Sequence, residues 1–244
     1  MSRRDRVCSP IDVRPQPLSS RYRVTFAPFR PADGGGDAVL NWEEFGLLDF
    51  LAYSTGYRRA AEAIWEELGP RARTGHFADY EFCPPIFLLR HAVELGLKHA
   101  LLYARGVDRL NGGSPAFDDL LLQKHRLKPF WEELLNHLTR SALIDACGTA
   151  KLLSKHTATI DSIESVDRES YTFRYPLNTQ AALSLPQHFR FSPTNTYLAL
   201  HELAEHLEYL GHEIGEWFDE MFHERLETHG YPEDPVLLRL RPRE

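Results

Sequence analysis

Pro85-Ile86-Phe87-Leu88-Leu89-Arg90-His91-Ala92-Val93-Glu94-Leu95-Gly96-Leu97-Lys98-His99-Ala100-Leu101-Leu102-Tyr103-Ala104-Arg105 is the most apolar stretch of the chain. Pro84-Pro85 opens it, and proline suits a first helical turn, where its missing N–H is no loss. Gly106 follows as the expected C-terminal stop. Apolar residues fall all round this segment rather than on one stripe, which predicts a core helix. Its charged and imidazole residues are Arg90, His91, Glu94, Lys98 and His99. At about 100° per residue, His91, Glu94 and Lys98 lie within roughly 60° of one another, flanked by Arg90 and His99. Burying a lone carboxylate or ammonium is costly, so this strip must pair internally or open onto a cleft. Glu94 and Lys98 are in the favourable i, i+4 order. Two readings therefore stand side by side. The strip is an internal ion-pair seam that fixes helix register, or His91, Glu94 and Lys98 line a ligand or catalytic pocket of environment-shifted titratable groups.

Outward from this helix, the pattern is helical on both sides. Trp42, Phe45, Leu48, Leu51 and Ala52, then Ala60, Ala61, Ile64, Trp65 and Leu68, recur at three and four until Gly69-Pro70, with a kink expected at Ser54-Thr55-Gly56. Residues 71–83 read as a loop. Beyond Asn111-Gly112-Gly113-Ser114-Pro115, a short helix is expected near Pro129–Thr139, with Phe130, Trp131, Leu134, Leu135 and Leu138 inward, and another over Ser141–Ser165. Residues 170–191 change to aromatic and β-branched side chains broken by Pro176 and Pro186, which predicts a small β-hairpin or extended excursion. Ser192-Pro193 is an N-cap followed by proline at the first helical position, and it opens a long helix to about His223. The fold class is mainly α, a helical bundle. Residues 1–38 read as an extended arm with one strand at Arg21–Phe26, 39–229 as a single helical domain, and 230–244 as a tail.

The formal net charge of −7 argues against a broad basic face gripping nucleic acid by counterion release. Cys8, Cys83 and Cys147 are far apart with no C-x-x-C pair, so neither a disulfide framework nor a cysteine zinc site is expected and a reducing compartment fits. No apolar run approaches the ~18–20 residues that span a bilayer. The opening MSRRDRVCSP has charges with no apolar stretch behind them. These features predict a cytoplasmic protein with no membrane partner.

Phe87-Leu88-Leu89-Arg90-His91-Ala92-Val93-Glu94-Leu95-Gly96-Leu97-Lys98, then His125-x-Leu127 before Trp131, then Asp167-x-x-Ser170-x-x-Phe173-Arg174-Tyr175-Pro176, together resemble a group of bacterial helical proteins similar to the HEPN superfamily. The resemblance spans about 85–225. It implies a HEPN-like bundle of bacterial antiviral-defence or toxin–antitoxin type, a homodimer, a partner protein from a defence operon, and RNA as substrate for a metal-independent ribonuclease. Active members use an arginine and a histidine on a late helix with four to six residues between them. Here only Arg71 and His76 have that spacing, and they fall in the expected loop; the late helix 194–223 contains no arginine, and Arg225 and His229 are one residue too close. A divergent site is therefore expected at His91, Glu94, Lys98, His125 and Arg174. Arg174, a cation in an aromatic segment, is matched with Glu94 as its bidentate partner, and His125 is a candidate general base. The alternative is a non-catalytic adaptor or ligand-binding module whose charged strip is structural, with Arg174 stapling the excursion to the core helix.

The last helix carries His201, Glu202, Glu205, His206, His212, Glu213, Glu216, Glu220 and His223. His201-Glu202-x-x-Glu205-His206 misses the H-E-x-x-H zinc spacing by one residue, which places its two histidines about 140° apart. Glu220-x-x-His223 has no counterpart on a second helix, as a carboxylate-bridged dimetal bundle would need. The expectation is a solvated acidic face, no metal and no cofactor.

Overall fold

The computed structural model describes residues 49–75, 79–113, 124–141 and 150–230, together with Pro232, Asp234, Leu237 and Leu240. The expected N-terminal arm, its strand and the first turns from Asn41 lie outside the described residues, as do Cys8 and Cys147. The described residues form five α-helices: α1 (Asp49–Thr74), α2 (Cys83–Leu110), α3 (Leu127–Arg140), α4 (Ala150–Val166) and α5 (Pro193–His229), with a 3-10 turn at Asp79–Phe82 before α2. None of these helices is long and apolar enough to cross a membrane.

Helix α2 is the axis of the bundle and packs against α1, α3 and α5; α1 also meets α5, and α4 lies against α3 and α5. Its residues are buried almost without interruption from Leu89 to Val107, as a helix apolar all round must be. Leu97, Leu101, Leu134, Leu203 and Phe218 form part of one continuous core with it. Leu237 and Leu240, in the stretch read as a tail, are also buried in that core.

Several boundaries differ from those read in the sequence. α1 runs unbroken through Ser54-Thr55-Gly56 and through Pro70. Ser54, far from kinking it, is buried and donates its hydroxyl to the Ala92 carbonyl at 2.8 Å, fastening α1 to α2. Arg71 therefore sits in the last turn of α1, not in a loop, and pairs with Glu81 at 2.8 Å; His76 lies outside the described residues. α5 continues six residues beyond His223, to His229, with Ser192 accepting the Asn195 N–H at its N-cap. Residues 170–191 hold one isolated antiparallel bridge, Leu177 to Leu183, and no strand.

Gly106 does not end α2, which continues one more turn to Leu110. Its bare Cα is a packing device: a Cβ there would lie 2.8 and 2.9 Å from the Phe218 ring of α5 and 3.0 Å from Leu240. Gly56, on the exposed side of α1, has nothing within 4 Å of the same position. Alanine generally favours a helix over glycine by about 1 kcal/mol, while overpacking a core costs about 1–3 kcal/mol. Gly56→Ala is therefore expected to stabilise the protein by about 1 kcal/mol. Gly106→Ala is expected to destabilise it despite the same propensity gain. Urea midpoints of the two variants check the opposite signs.

Candidate functional site on the central helix

The charged strip of α2 folds into a closed cluster around Glu94, which is 1% exposed. Helical spacing brings Arg90 and Lys98 to it from the turns before and after. Arg90 Nη1 donates to Glu94 Oε2 at 2.5 Å, and Lys98 Nζ donates to Oε1 at 2.8 Å. From outside the helix, His125 Nδ1 reaches Oε1 at 2.9 Å. His91 Nδ1 stands 4.0 Å from Oε2. Burial pushes the Glu94 carboxyl upward, but the Arg90 and Lys98 cations and the hydrogen bonds from Lys98 and His125 outweigh it and hold it below the ordinary carboxylate value. Glu94 is thus an anion inside the core.

The guanidinium of Arg90 is fully buried and does more than neutralise Glu94. Its Nη2 donates to the His125 carbonyl, which fixes the backbone just before α3. Its Nε faces Asp167 Oδ2 at 3.5 Å, too poorly aligned for a hydrogen bond but close enough for an ion pair. Asp167 is itself 1% exposed and accepts the Thr172 N–H at 2.9 Å, so it ties the start of the 170–191 excursion to α2. Next to it in the sequence, Arg168 is the cation an exposed Asp167 would pair with. Instead Asp167 turns inward to Arg90, and Arg168 is exposed beside Glu164 and Glu169. Glu164 from α4 caps α3 by accepting the Leu127 and Lys128 N–H groups at 3.0 and 3.3 Å, and it also holds Arg126 at 2.9 Å. Four residues on three segments therefore place His125.

The expected Arg174–Glu94 pair does not form. Glu94 is already saturated by cations from its own helix, and Arg174 stays exposed. The Arg174 guanidinium lies 5.1 Å from the Phe87 ring, 5.0 Å from Tyr171 and 5.6 Å from Tyr175, and Nε donates to the Ser170 carbonyl at 2.6 Å. It is a cation spread over an aromatic platform. His91 lies at the edge of the same platform, against Phe87 at 5.9 Å and edge-on to Tyr57 at 4.6 Å. Burial lowers the His91 pKa and Glu94 counteracts it, but Arg90, Lys98 and Arg174 add to the lowering, so the ring is held neutral.

Of the five residues expected to make a site, Glu94 and Lys98 are buried inside the cluster, whereas His91, His125 and Arg174 reach solvent. An ionised carboxylate only accepts, so the His125 nitrogen facing Glu94 carries a proton, and in the neutral ring the lone pair is on Nε2. The ring is 45% exposed, so that lone pair is accessible. A buried carboxylate that fixes the tautomer of a half-exposed imidazole is the arrangement by which a histidine accepts a proton from a substrate. Arg90, noted in the sequence only as a flank, and Asp167 and Glu164, not singled out as site residues, are its supports.

On the acidic face of α5, Glu62, His201 and Glu205 bring ligand atoms within 4.8 Å of one another. Arg58 pairs with both carboxylates and with Glu208 at 2.9 Å, so the group is an ion-pair seam between α1 and α5. His206, the second histidine of the near-miss zinc motif, pairs instead with His156 at 2.5 Å. No family model, curated protein or solved structure matches this chain.

Proposed function

We propose that this is a HEPN-like domain of bacterial defence or toxin–antitoxin type that cleaves RNA without a metal, at a divergent site formed by His125, His91 and Arg174. The observation that carries the reading is the accessible His125 ring held by buried Glu94 at 2.9 Å. In this reading His125 Nε2 takes the proton from a ribose 2′-hydroxyl as its oxygen attacks the adjacent phosphorus, the P–O5′ bond to the next nucleotide breaks to leave a 2′,3′-cyclic phosphate, water protonates the departing 5′-oxygen, and Arg174 neutralises the phosphoryl oxygens. Tyr171 and Tyr175, both exposed, offer rings on which an unpaired base stacks, which favours single-stranded RNA. His91, held neutral, hydrogen-bonds the substrate beside Arg174. Glu94, Arg90 and Lys98 touch no substrate and act as positioning residues.

The test is incubation of the purified protein with single-stranded RNA in EDTA, beside His125→Ala and Arg174→Ala variants whose helicity is checked by circular dichroism. The expected result is EDTA-resistant cleavage that falls about a hundredfold or more in folded His125→Ala, the usual contribution of a positioned acid–base group. Undiminished cleavage by that variant would refute the assignment.

A second reading is favoured by the saturation of Glu94 and by the absence of arginine from residues 194–223. It is an adaptor module in which the cluster only binds α3 and the excursion to α2. Wild-type protein that leaves RNA intact in every condition supports this reading.

A further inference from the structure

Near the start of α4, two polar contacts pin it to α5. Lys155 Nζ contacts both Glu202 oxygens at 2.5 and 2.6 Å, and His156 Nε2 meets His206 Nδ1 at 2.5 Å. Towards Val166, the side chains that line the gap on both helices are short: Ala158 and Ser162 on α4, Thr196 and Ala199 on α5. They are too small to fill the space. The excursion closes one side with Phe173, Phe189 and Phe191, whose rings brace one another at 6.1 and 6.0 Å. What remains is a cleft of about 570 Å³. Ile163 and Leu200, 5% and 1% exposed, lie at its base.

That volume lies in the range of small-molecule sites, ~300–1,000 Å³, and such sites join apolar walls to a few placed polar groups. The charge of the lining is one-sided. Among the described residues no aspartate or glutamate lines the cleft, although acidic residues outnumber basic ones 35 to 28 in the chain. Its two charged residues are Lys155, already engaged by Glu202, and Arg190. Arg190 is exposed and makes no hydrogen bond or ion pair with another described residue. A cationic ligand would meet no counter-charge here, whereas an anion meets a guanidinium free to bind it in a two-pronged fork. The phenylalanine wall and the Ile163–Leu200 base favour methylene or aryl groups over a sugar.

We propose that this cleft binds a small organic anion with an apolar body, an aliphatic or aromatic carboxylate whose head sits on Arg190 and whose body lies between α4 and α5 against the three phenylalanines. The site shares no residue with the His125 cluster and does not depend on RNA cleavage.

The experiment is calorimetric titration of the full chain with dodecanoate below its micellar concentration, beside dodecyltrimethylammonium, which has the same tail and the opposite charge. Saturable one-to-one binding of dodecanoate, with the ammonium at least about tenfold weaker, is the expected result. Arg190→Glu, at an exposed position, should reduce dodecanoate affinity by about tenfold or more. Ala158→Phe, which fills the cleft from an exposed position on α4, should abolish binding while retaining helicity. Absence of dodecanoate binding, equal binding of the ammonium, or full affinity in both variants would each overturn the proposal. Equal binding of the two amphiphiles would mark an apolar groove for a protein partner instead.

Discussion

Glu94→Ala should lower the unfolding free energy by about 3–5 kcal/mol, because it takes the closest anion from the buried Arg90 guanidinium. Arg90 is fully buried and Lys98 is 3% exposed. Asp167 at 3.5 Å is the other carboxylate paired with Arg90, and its hydrogen bond goes to Thr172 rather than to the guanidinium. Removing Glu94 also takes away the acceptor for His125 Nδ1, so α3 and α2 lose a link besides Arg90. Glu94→Gln separates charge from shape. It keeps one oxygen for Lys98 or His125 but turns an amide N–H₂ toward the Arg90 guanidinium. The Gln variant should therefore recover little of the loss, whereas a cost arising from the cavity alone would be largely recovered. Urea denaturation of the two variants measures this. A loss below about 1 kcal/mol in Glu94→Ala would mean that water reaches the cations and that the cluster is not the closed seam described. The same result bears on function, since a positioning residue with so large a stability cost cannot be tested by activity alone. For that reason His125→Ala, at a half-exposed position, is the cleaner probe of chemistry.

The central position of α2 was legible because apolar residues surround it on every side, which few arrangements other than burial explain. The N-terminus of α5 was legible for a local reason: Ser192-Pro193 combines a cap side chain with a proline at the first helical position. The readings that failed depended on partners distant in sequence. Gly106 looks like a stop until Phe218 and Leu240 are seen to lie where its side chain would be. Pro70 looks like a stop too, yet it only leaves α1 one turn from its end. In the site, the strip on α2 predicted a cluster around Glu94, and the i, i+4 spacing already contained the answer to its pairing: Arg90 and Lys98 both reach it from their own helix. Arg174 was assigned to the same carboxylate because it was the next cation in an aromatic setting, but Glu94 is buried and already engaged by Arg90, Lys98 and His125. Asp167 and Glu164 gave no local signal. Each is one carboxylate in a polar stretch, and only the fold places one under Arg90 and the other at the start of α3.

Acid should destabilise this protein well before its carboxylates titrate, through two histidines buried as neutral rings. His99, on α2, is 5% exposed and packs against Tyr103 and the Gly211 backbone, with His212 as a neighbouring imidazole across the α2–α5 contact. Burial and His212 lower its pKa to about 4, against a hydrogen bond to Gly211 that favours protonation. His156, on α4, is 2% exposed, meets His206 Nδ1 through its Nε2 at 2.5 Å and packs T-shaped against Trp131. Burial and the neighbouring His206 and Lys155 lower its pKa to about 4, with Glu202 opposing. Both groups have an ordinary value of 6.5 in the unfolded chain. Between that value and about 4, the unfolded state binds protons that the folded state refuses, so stability falls as the pH falls through this window. The full loss is about 3 kcal/mol for each of the two groups. Glu94, whose pKa is lowered, adds its own loss only below the ordinary carboxylate value of 4.5, so the two effects separate on the pH axis. Unfolding free energies measured between about pH 7 and pH 5 should fall steeply in the wild type and less steeply in His99→Gln or His156→Gln, with His91, whose pKa is also lowered, adding a smaller share to each curve. A wild-type curve flat over that range would show that these rings protonate without leaving their places, and that the α2–α5 and α4–α5 contacts tolerate charge.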